Sequence, residues 1–432
     1  MGAVLLRLRR CSWLSLRNAN GLTLDRARSW VRALACVSLM GIAAALWQSP
    51  GGLTPQGRPL GTDFISFYTA GLLSAGGHDA YNMMAHAAAQ SALFPSAHYG
   101  YTTFLYPPPF LLICRWFAGL AYLPALLCWL GAGLVLLLVA MRPLVVQFGQ
   151  HAVGGHAVGW LALVASPAVL VNAGSGQNGM LTAACFAGYM ALADRWPVLA
   201  GACLGALVIK PQLALAVPVV LLCAGRGRAI AGGAIVALGL CALSVLVLGR
   251  SAWDGFFAAA PGGGPMLIGG LNGFAKMISP FAGISLLGGG PLLAATGQGV
   301  LAMVVLALLG YAARRGLSGA AEGGLMAAAA VLISPWSFDY DLVLLVPALG
   351  WLCGQAIGGF RPWEKTVLLL AYSLPLWVRL LASTAGVPLG PVVIAALFVV
   401  LWCRATDRRA GAAPLDRVNN RTSCMWRDTS WN

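Results

Sequence analysis

Apolar runs recur from one end of this chain to the other, and they decide what it can fold into. They lie near 31–47, 108–119, 125–141, 158–172, 180–193, 198–224, 229–248, 291–312, 320–333, 342–352, 366–377 and 391–402. A backbone inside lipid must satisfy its own amides and carbonyls, so only helices and closed barrels cross a bilayer. The alternating pattern of barrel strands is absent. The predicted fold class is an all-α polytopic membrane protein with about twelve transmembrane helices. Several runs are shorter than the ~20 residues of a perpendicular span, which predicts tilted or broken helices buried in protein. Hydrophobic residues make up 59% and charged residues 9%, against about 25% charged in soluble domains.

The formal net charge is +15. The basic residues gather at the two ends, in Arg7, Arg9, Arg10, Arg17, Arg26, Arg28 and Arg32, and in Arg404, Arg408, Arg409, Arg417, Arg421 and Arg427. They are not collected on a soluble domain, so no nucleic-acid partner is expected. By the positive-inside rule both termini are cytoplasmic, and the basic ends face anionic membrane lipid. The chain divides into a basic N-terminal segment (1–30), a transmembrane domain (31–403) and a basic tail (404–432) whose polarity predicts disorder. The first apolar run follows about thirty polar residues, which predicts a retained anchor in a plasma membrane, such as a bacterial inner membrane, and not a cleaved signal.

Threading from a cytoplasmic N-terminus puts Arg226/Arg228, Arg314/Arg315 and Arg361/Lys365 in cytoplasmic loops. It leaves two long external segments, 48–106 and 250–290. In the first, Phe64, Phe67, Tyr68 and Gly71 share one helical face. That spacing predicts a helix lying in the membrane interface with its aromatics down. The 11 cysteines form no CxxC pair, and the histidines have no metal-ligand spacing. Neither a metal nor a cofactor is expected.

Few residues could carry chemistry. Asp63, in Gly61-Thr62-Asp63-Phe64, is one of 12 acids in the chain. A carboxylate at an apolar boundary suits a general base; the same placement suits a helix N-cap. Lys210, in Ile209-Lys210-Pro211, falls within an apolar run, where a charge costs roughly 2.5–3.5 kcal/mol and calls for a partner. It could bind a phosphate or snorkel to an interface. Gln177 and Asn178 sit among glycines that would allow an amide nest for phosphate or an ordinary turn. In Ser334-Pro335-Trp336-Ser337-Phe338-Asp339-Tyr340-Asp341, acids and aromatics could hold sugar hydroxyls and a sugar face. The alternative is helix caps within an aromatic belt. Asp339 and Asp341 alone are weak ligands for a divalent cation. Arg250, Lys276 and Arg379 fall on the external side and could pair with a phosphate.

Thr62-Asp63-Phe64, Phe67-Tyr68-x-Ala70-Gly71 and Asp79-Ala80-Tyr81-Asn82 open an ordered set of motifs. Tyr106-Pro107-Pro108-Pro109-Phe110, Gly176-Gln177-Asn178, Ala200-Gly201, Lys210-Pro211-Gln212, Asn272-Gly273 and Ser334-Pro335 continue it. Together they resemble glycosyltransferase family 87, polyprenyl-phosphate-sugar-dependent enzymes of the GT-C class. The resemblance implies a GT-C-type transmembrane catalytic domain with interfacial helices in its external loops. It implies that Asp63 is the catalytic base and favours Lys210, with Gln177 and Asn178, as the donor-phosphate ligands. Tyr68, Tyr106, Trp336, Asp339, Tyr340 and Asp341 are then candidates for sugar or acceptor binding. Many family members have His near Tyr340, so this chain departs from the pattern there.

The activity so implied is transfer of a hexose, mannose being the family's best-known cargo, from a polyprenyl phosphate to a lipid or glycan hydroxyl. It would take place with inversion on the extracytoplasmic face. A transporter or flippase of lipid-linked sugars would need a similar amphipathic pocket, but usually shows repeated halves. A lipid-linked glycan polymerase or ligase would carry a charged external loop, whereas 250–290 is rich in Gly and Pro.

Overall fold

Proline, glycine and capping residues cut the apolar sequence into helices. The computed structural model describes residues 17–151, 155–271, 273–356 and 359–407. Arg7, Arg9, Arg10, Asn272 and the tail from Arg408 onward lie outside the described residues, as does the predicted disorder of that tail. Helix α1 (Leu24–Gln48) starts behind Thr23, whose hydroxyl accepts the Arg26 amide. The first long connection holds α2 (Phe64–Ala75) and α3 (Met83–Leu93). Next come α4 (Pro108–Arg115), α5 (Tyr122–His151), α6 (His156–Val164), α7 (Pro167–Ser175) and α8 (Gly179–Leu192). They are followed by α9 (Pro197–Gly205), α10 (Val217–Cys223) and α11 (Gly227–Leu248). The second long connection holds α12 (Arg250–Ala259), α13 (Gly263–Ile268) and α14 (Pro280–Leu286). The last five are α15 (Pro291–Ala313), α16 (Gly319–Ile333), α17 (Leu345–Gln355), α18 (Glu364–Ala385) and α19 (Leu389–Thr406). Proline opens α4, α7, α9, α14 and α15 within their first turn, where its missing N–H costs nothing.

Seven stretches are long and apolar enough to cross a membrane: α1, residues 122–146 of α5, α6 with α7, α11, α15, α18 and α19. The remaining apolar runs form shorter helices, among them α8, α16 and the Pro197–Ile209 stretch. Their positions explain the shortness. Every α16 residue but Ala320 is buried, the mark of an interior helix that is apolar all round. In α1 only Val31 is buried. Exposed apolar side chains thus dominate long helices such as α1, while α8 and α16 fill the centre.

Glycine allows close approach at several places, of which two shape the bundle and the site. A Cβ on Gly201 would fall 1.8 Å from the Ala229 carbonyl oxygen, and one on Gly232 2.0 Å from that of Val198. Helices α9 and α11 therefore cross nearly backbone to backbone, the usual way of packing helices where water gives no hydrophobic drive. The second place, Gly61 against Gly176, builds the site.

The run near 198–224 is not one helix. After α9 come 3-10 turns at Ala206–Ile209 and Pro211–Leu213, and α10 begins only at Val217. Pro211 has no N–H to offer and cannot continue a helix, so Lys210 stands at the break with a non-helical backbone (φ −145°, ψ 69°). Helix α2 corrects another expectation. Residues Phe64–Gly71 are all buried, so the aromatic face of α2 is covered by protein and not by lipid. Its aromatic face packs on Tyr106, Phe110, Phe117, Tyr122 and Trp129.

Candidate active site

Gly61 and Gly176 bring two distant loops together. A Cβ on Gly176 would lie 3.0 Å from the Gly61 Cα. The Asp63 amide donates to the Ser175 carbonyl at 2.9 Å, and the Trp129 indole donates to that of Gly176 at 3.0 Å. Asp63 does stand at the N-cap of α2, but its side chain caps nothing. The carboxylate turns away from the helix. Its Oδ2 accepts the Gln177 amide at 2.9 Å, and the Thr62 hydroxyl lies 3.5 Å from Oδ1. The Tyr106 hydroxyl in turn donates to Gln177 Oε1 at 3.1 Å. Tertiary contact thus overrides the local capping preference. Burial pushes the Asp63 carboxyl above its ordinary value; the Gln177 bond and the charges of Lys276 and Lys210 pull it back only in part.

The expected phosphate nest is not formed. Gly176 takes the left-handed conformation that ends α7, and its amide donates to Ala173. The Gln177 amide donates to the Asn172 carbonyl and the Asn178 amide to Gln177 Oε1. These three backbone amides are thus taken, whereas both polar side-chain atoms of Asn178 are buried without a hydrogen-bond partner among the described residues. Gln177 acts through its side chain instead. Asn178 is buried, and its side-chain amide lies beside the Tyr106 hydroxyl.

Lys210 reaches the same region from the helix break. Its ammonium is 2.5 Å from Asp341 Oδ1 and 5.3 Å from the centre of the Tyr340 ring. Both charges of the pair are buried. Lys210 therefore pairs with Asp341 through one of the three N–H donors of its ammonium. The other Asp341 oxygen accepts the Phe338 amide at 3.1 Å, capping the 3-10 turn Asp339–Leu344. Asp339 pairs with the half-exposed Arg379 at 3.5 Å. Burial raises its carboxyl as well, against the pull of Arg379. The two acids thus face different cations, not a shared metal.

Tyr340 stacks on Phe338 at 5.2 Å. Its carbonyl accepts the Asn172 side chain at 3.2 Å. The charges of Asp63, Asp341 and Asp339 all act on Tyr340, so it is near all three acids. Half-buried Trp336 stands at the rim against Gly263 of α13. Asp63, Gln177, Asn178, Tyr106, Lys210, Asp339, Tyr340 and Asp341 therefore share one end of the bundle. Tyr68 does not join them, because its hydroxyl donates to the Leu120 carbonyl at 2.7 Å and its ring sits in the aromatic core. Arg250 is also remote, 3.9 Å from its exposed neighbour Asp254.

Sequence reasoning passed over Asn172. Fully buried in α7, it ties the Tyr340 carbonyl and the Met180 amide to the Gln177 loop. A lone amide inside an apolar span was the available signal. Ser334 and Ser337 belong to the same cluster as Trp336 and Asp339; both hydroxyls are buried, without a hydrogen-bond partner among the described residues.

A half-buried carboxylate held by a neutral amide can take a proton from an incoming hydroxyl. Cations nearby can offset charge that develops on a leaving oxygen. The sequence model of glycosyltransferase family 87 matches residues 104–335. No curated protein and no solved structure matches the chain.

Proposed function

This chain belongs to glycosyltransferase family 87 and is a membrane glycosyltransferase, and we propose that its donor is a polyprenyl-phosphate hexose, mannose in the first instance. The acceptor is a lipid or glycan hydroxyl, and the site faces the extracytoplasmic side. One observation carries the reading: Asp63 is the carboxylate at this end whose bonds are to neutral partners, Gln177 and Thr62, while Asp339 and Asp341 each have a cation. Asp63 takes the proton of the acceptor hydroxyl. The acceptor oxygen attacks the anomeric carbon, the bond from that carbon to the phosphate oxygen breaks, and the electron pair leaves with the polyprenyl phosphate. Attack opposite the leaving group inverts the anomeric centre.

Lys276 and Arg379 are exposed cations on the rim, and both act on the charge of Asp339. They are placed to meet a lipid phosphate arriving from the membrane surface. Lys210 supports them from beneath by holding Asp341 and the Phe338–Tyr340 turn. The GT-C-type arrangement, a twelve-span threading and cytoplasmic termini go with this reading. The test is transfer in proteoliposomes from labelled polyprenyl-phosphate sugars to a membrane lipid extract. Wild type transfers sugar, and Asp63→Asn binds the donor without transferring. Equal rates in the two would refute the role of Asp63.

A further inference from the structure

The two oxygens of Asp63 face different surroundings. Oδ2 is bonded to Gln177, within the cluster that runs on to Tyr340, Asp341 and Lys210. Oδ1 is on the side of Thr62, and Thr62 lines a separate polar cavity of about 480 Å³. Gln56, Arg58, His98 and Gly174 line it too. That volume suits a monosaccharide-sized group. The wall carrying Arg58 is a tight turn. Leu53 bridges Pro59, the Thr54 amide donates to the Arg58 carbonyl at 2.8 Å, and the Arg58 amide donates to the Thr54 hydroxyl at 3.1 Å. The turn is fixed on its far side by the His98 amide, which donates to the Gly57 carbonyl at 3.0 Å. Arg58 is exposed, and among the described residues its guanidinium has no carboxylate partner. Tyr99 is close enough to both charges to interact with Asp63, Thr62 and Arg58.

We propose that this cavity seats the acceptor, and that Arg58 pairs with a phosphate or carboxylate carried next to the attacking hydroxyl. The inference rests on the glycosyl-transfer reading and adds the acceptor class to it. A guanidinium on a rigid turn can hold an anion through two parallel bonds. Thr62 then stands between the bound anion and the base, so a hydroxyl one or two carbons from the anion reaches Oδ1.

The test uses the full chain in proteoliposomes with a labelled polyprenyl-phosphate hexose. Acceptors are phosphatidylglycerol and glycerol phosphate, each a hydroxyl beside a phosphate, against neutral glucosyl-diacylglycerol and methyl glucoside. Binding of glycerol phosphate to the protein in zwitterionic nanodiscs is measured separately by calorimetry. Wild type should favour anionic over neutral acceptors about tenfold or more, through KM, and Arg58→Gln should bring that ratio near one, with Arg58→Lys between. A preference for phosphatidylglycerol alone names a lipid headgroup, and one for glycerol phosphate alone names a soluble polyol phosphate. Wild-type transfer with an acceptor ratio unmoved in Arg58→Gln overturns the inference and leaves the transferase reading intact. No wild-type transfer to any acceptor, with calorimetric binding abolished by Arg58→Gln, removes the reading of the donor and keeps the anion site. Neither transfer preference nor binding in wild type overturns the site itself.

Discussion

Both ends of the helix bundle bury carboxylates, and they treat them differently. At the end away from Asp63, Arg226 donates to Glu322, to Asp194 at 2.9 Å and to the Leu317 carbonyl at 3.2 Å. Tyr189 adds a 2.6 Å bond to Glu322, and the Gly319 amide donates to Asp194. Three connections, α8–α9, α10–α11 and α15–α16, are thereby tied together, with each acid in contact with the guanidinium. At the Asp63 end the central carboxylate has only an amide and a hydroxyl, and the nearby exposed cations stand on the rim. A charge network made for stability closes on itself. The Asp63 end leaves bonding capacity open, as expected where a substrate is to complete the set.

The widest separation between the two ends should appear on removing one acid from each. Loss of a general base costs about 10²–10⁴ in rate, so Asp63→Asn should lower kcat by that factor in the proteoliposome assay. Its effect on stability has the opposite sign. Burial holds the Asp63 carboxyl above its ordinary 3.8, so the folded state binds the proton more tightly than the unfolded chain. That contribution is present below about pH 4 and is lost as pH rises through the raised folded value. At neutral pH the charge therefore opposes folding, and Asp63→Asn should melt higher than wild type in detergent. The same shift predicts that kcat falls on the acid side with an inflexion above 3.8, readable in a pH–rate profile. Glu322→Gln should instead leave kcat per folded molecule unchanged, because its partners Arg226 and Tyr189 stand at the other end of the bundle. A Glu322→Gln that loses turnover as Asp63→Asn does would erase the contrast.

The Lys210–Asp341 pair belongs to the site by position but resembles the far network in being closed. Lys210→Met should destabilise by about 3–5 kcal/mol, because Asp341 is left charged and buried. Lys210→Met with Asp341→Asn removes both charges and keeps an oxygen to cap the Phe338 amide. Most of the lost stability should return in denaturant or thermal unfolding. Recovery of stability without recovery of transfer would place Lys210 in the electrostatics of the reaction; recovery of both would leave it a structural strut.

The long helices were legible from hydropathy, because lipid gives a span no other partner. The short interior helices were legible as apolar but not as interior, since α16 differs from α15 in what surrounds it more than in how apolar it is. The Lys210-Pro211 break was visible in the sequence, while the identity of its partner was not: Asp341 lies 131 positions away. Asp63 was visible as an acid at an apolar boundary. Its release from capping depends on Gln177, 114 positions on, and no local rule contains that contact. The shared face of Phe64, Phe67 and Tyr68 was legible as a face, but not that protein covers it, because helical spacing says which residues lie together and not what covers them.

Two tyrosines draw the boundary of the site most finely. Tyr68 and Tyr106 are both aromatic neighbours of Phe64 or Phe67 in one cluster, and each donates one hydroxyl bond. Tyr68 donates to a main-chain carbonyl, and Tyr106 to the amide that holds Asp63. Removing either hydroxyl should cost only about 0.5–1.5 kcal/mol of stability. Their effects on turnover should differ. Tyr68→Phe should keep kcat, since the Leu120 carbonyl it leaves is remote from Asp63. Tyr106→Phe frees Gln177 to rotate its amide, so Asp63 loses a fixed donor and its pH–rate inflexion moves further up. A steady-state comparison of the two variants across pH reads this directly, and identical profiles would mean that Gln177 is oriented by something other than Tyr106.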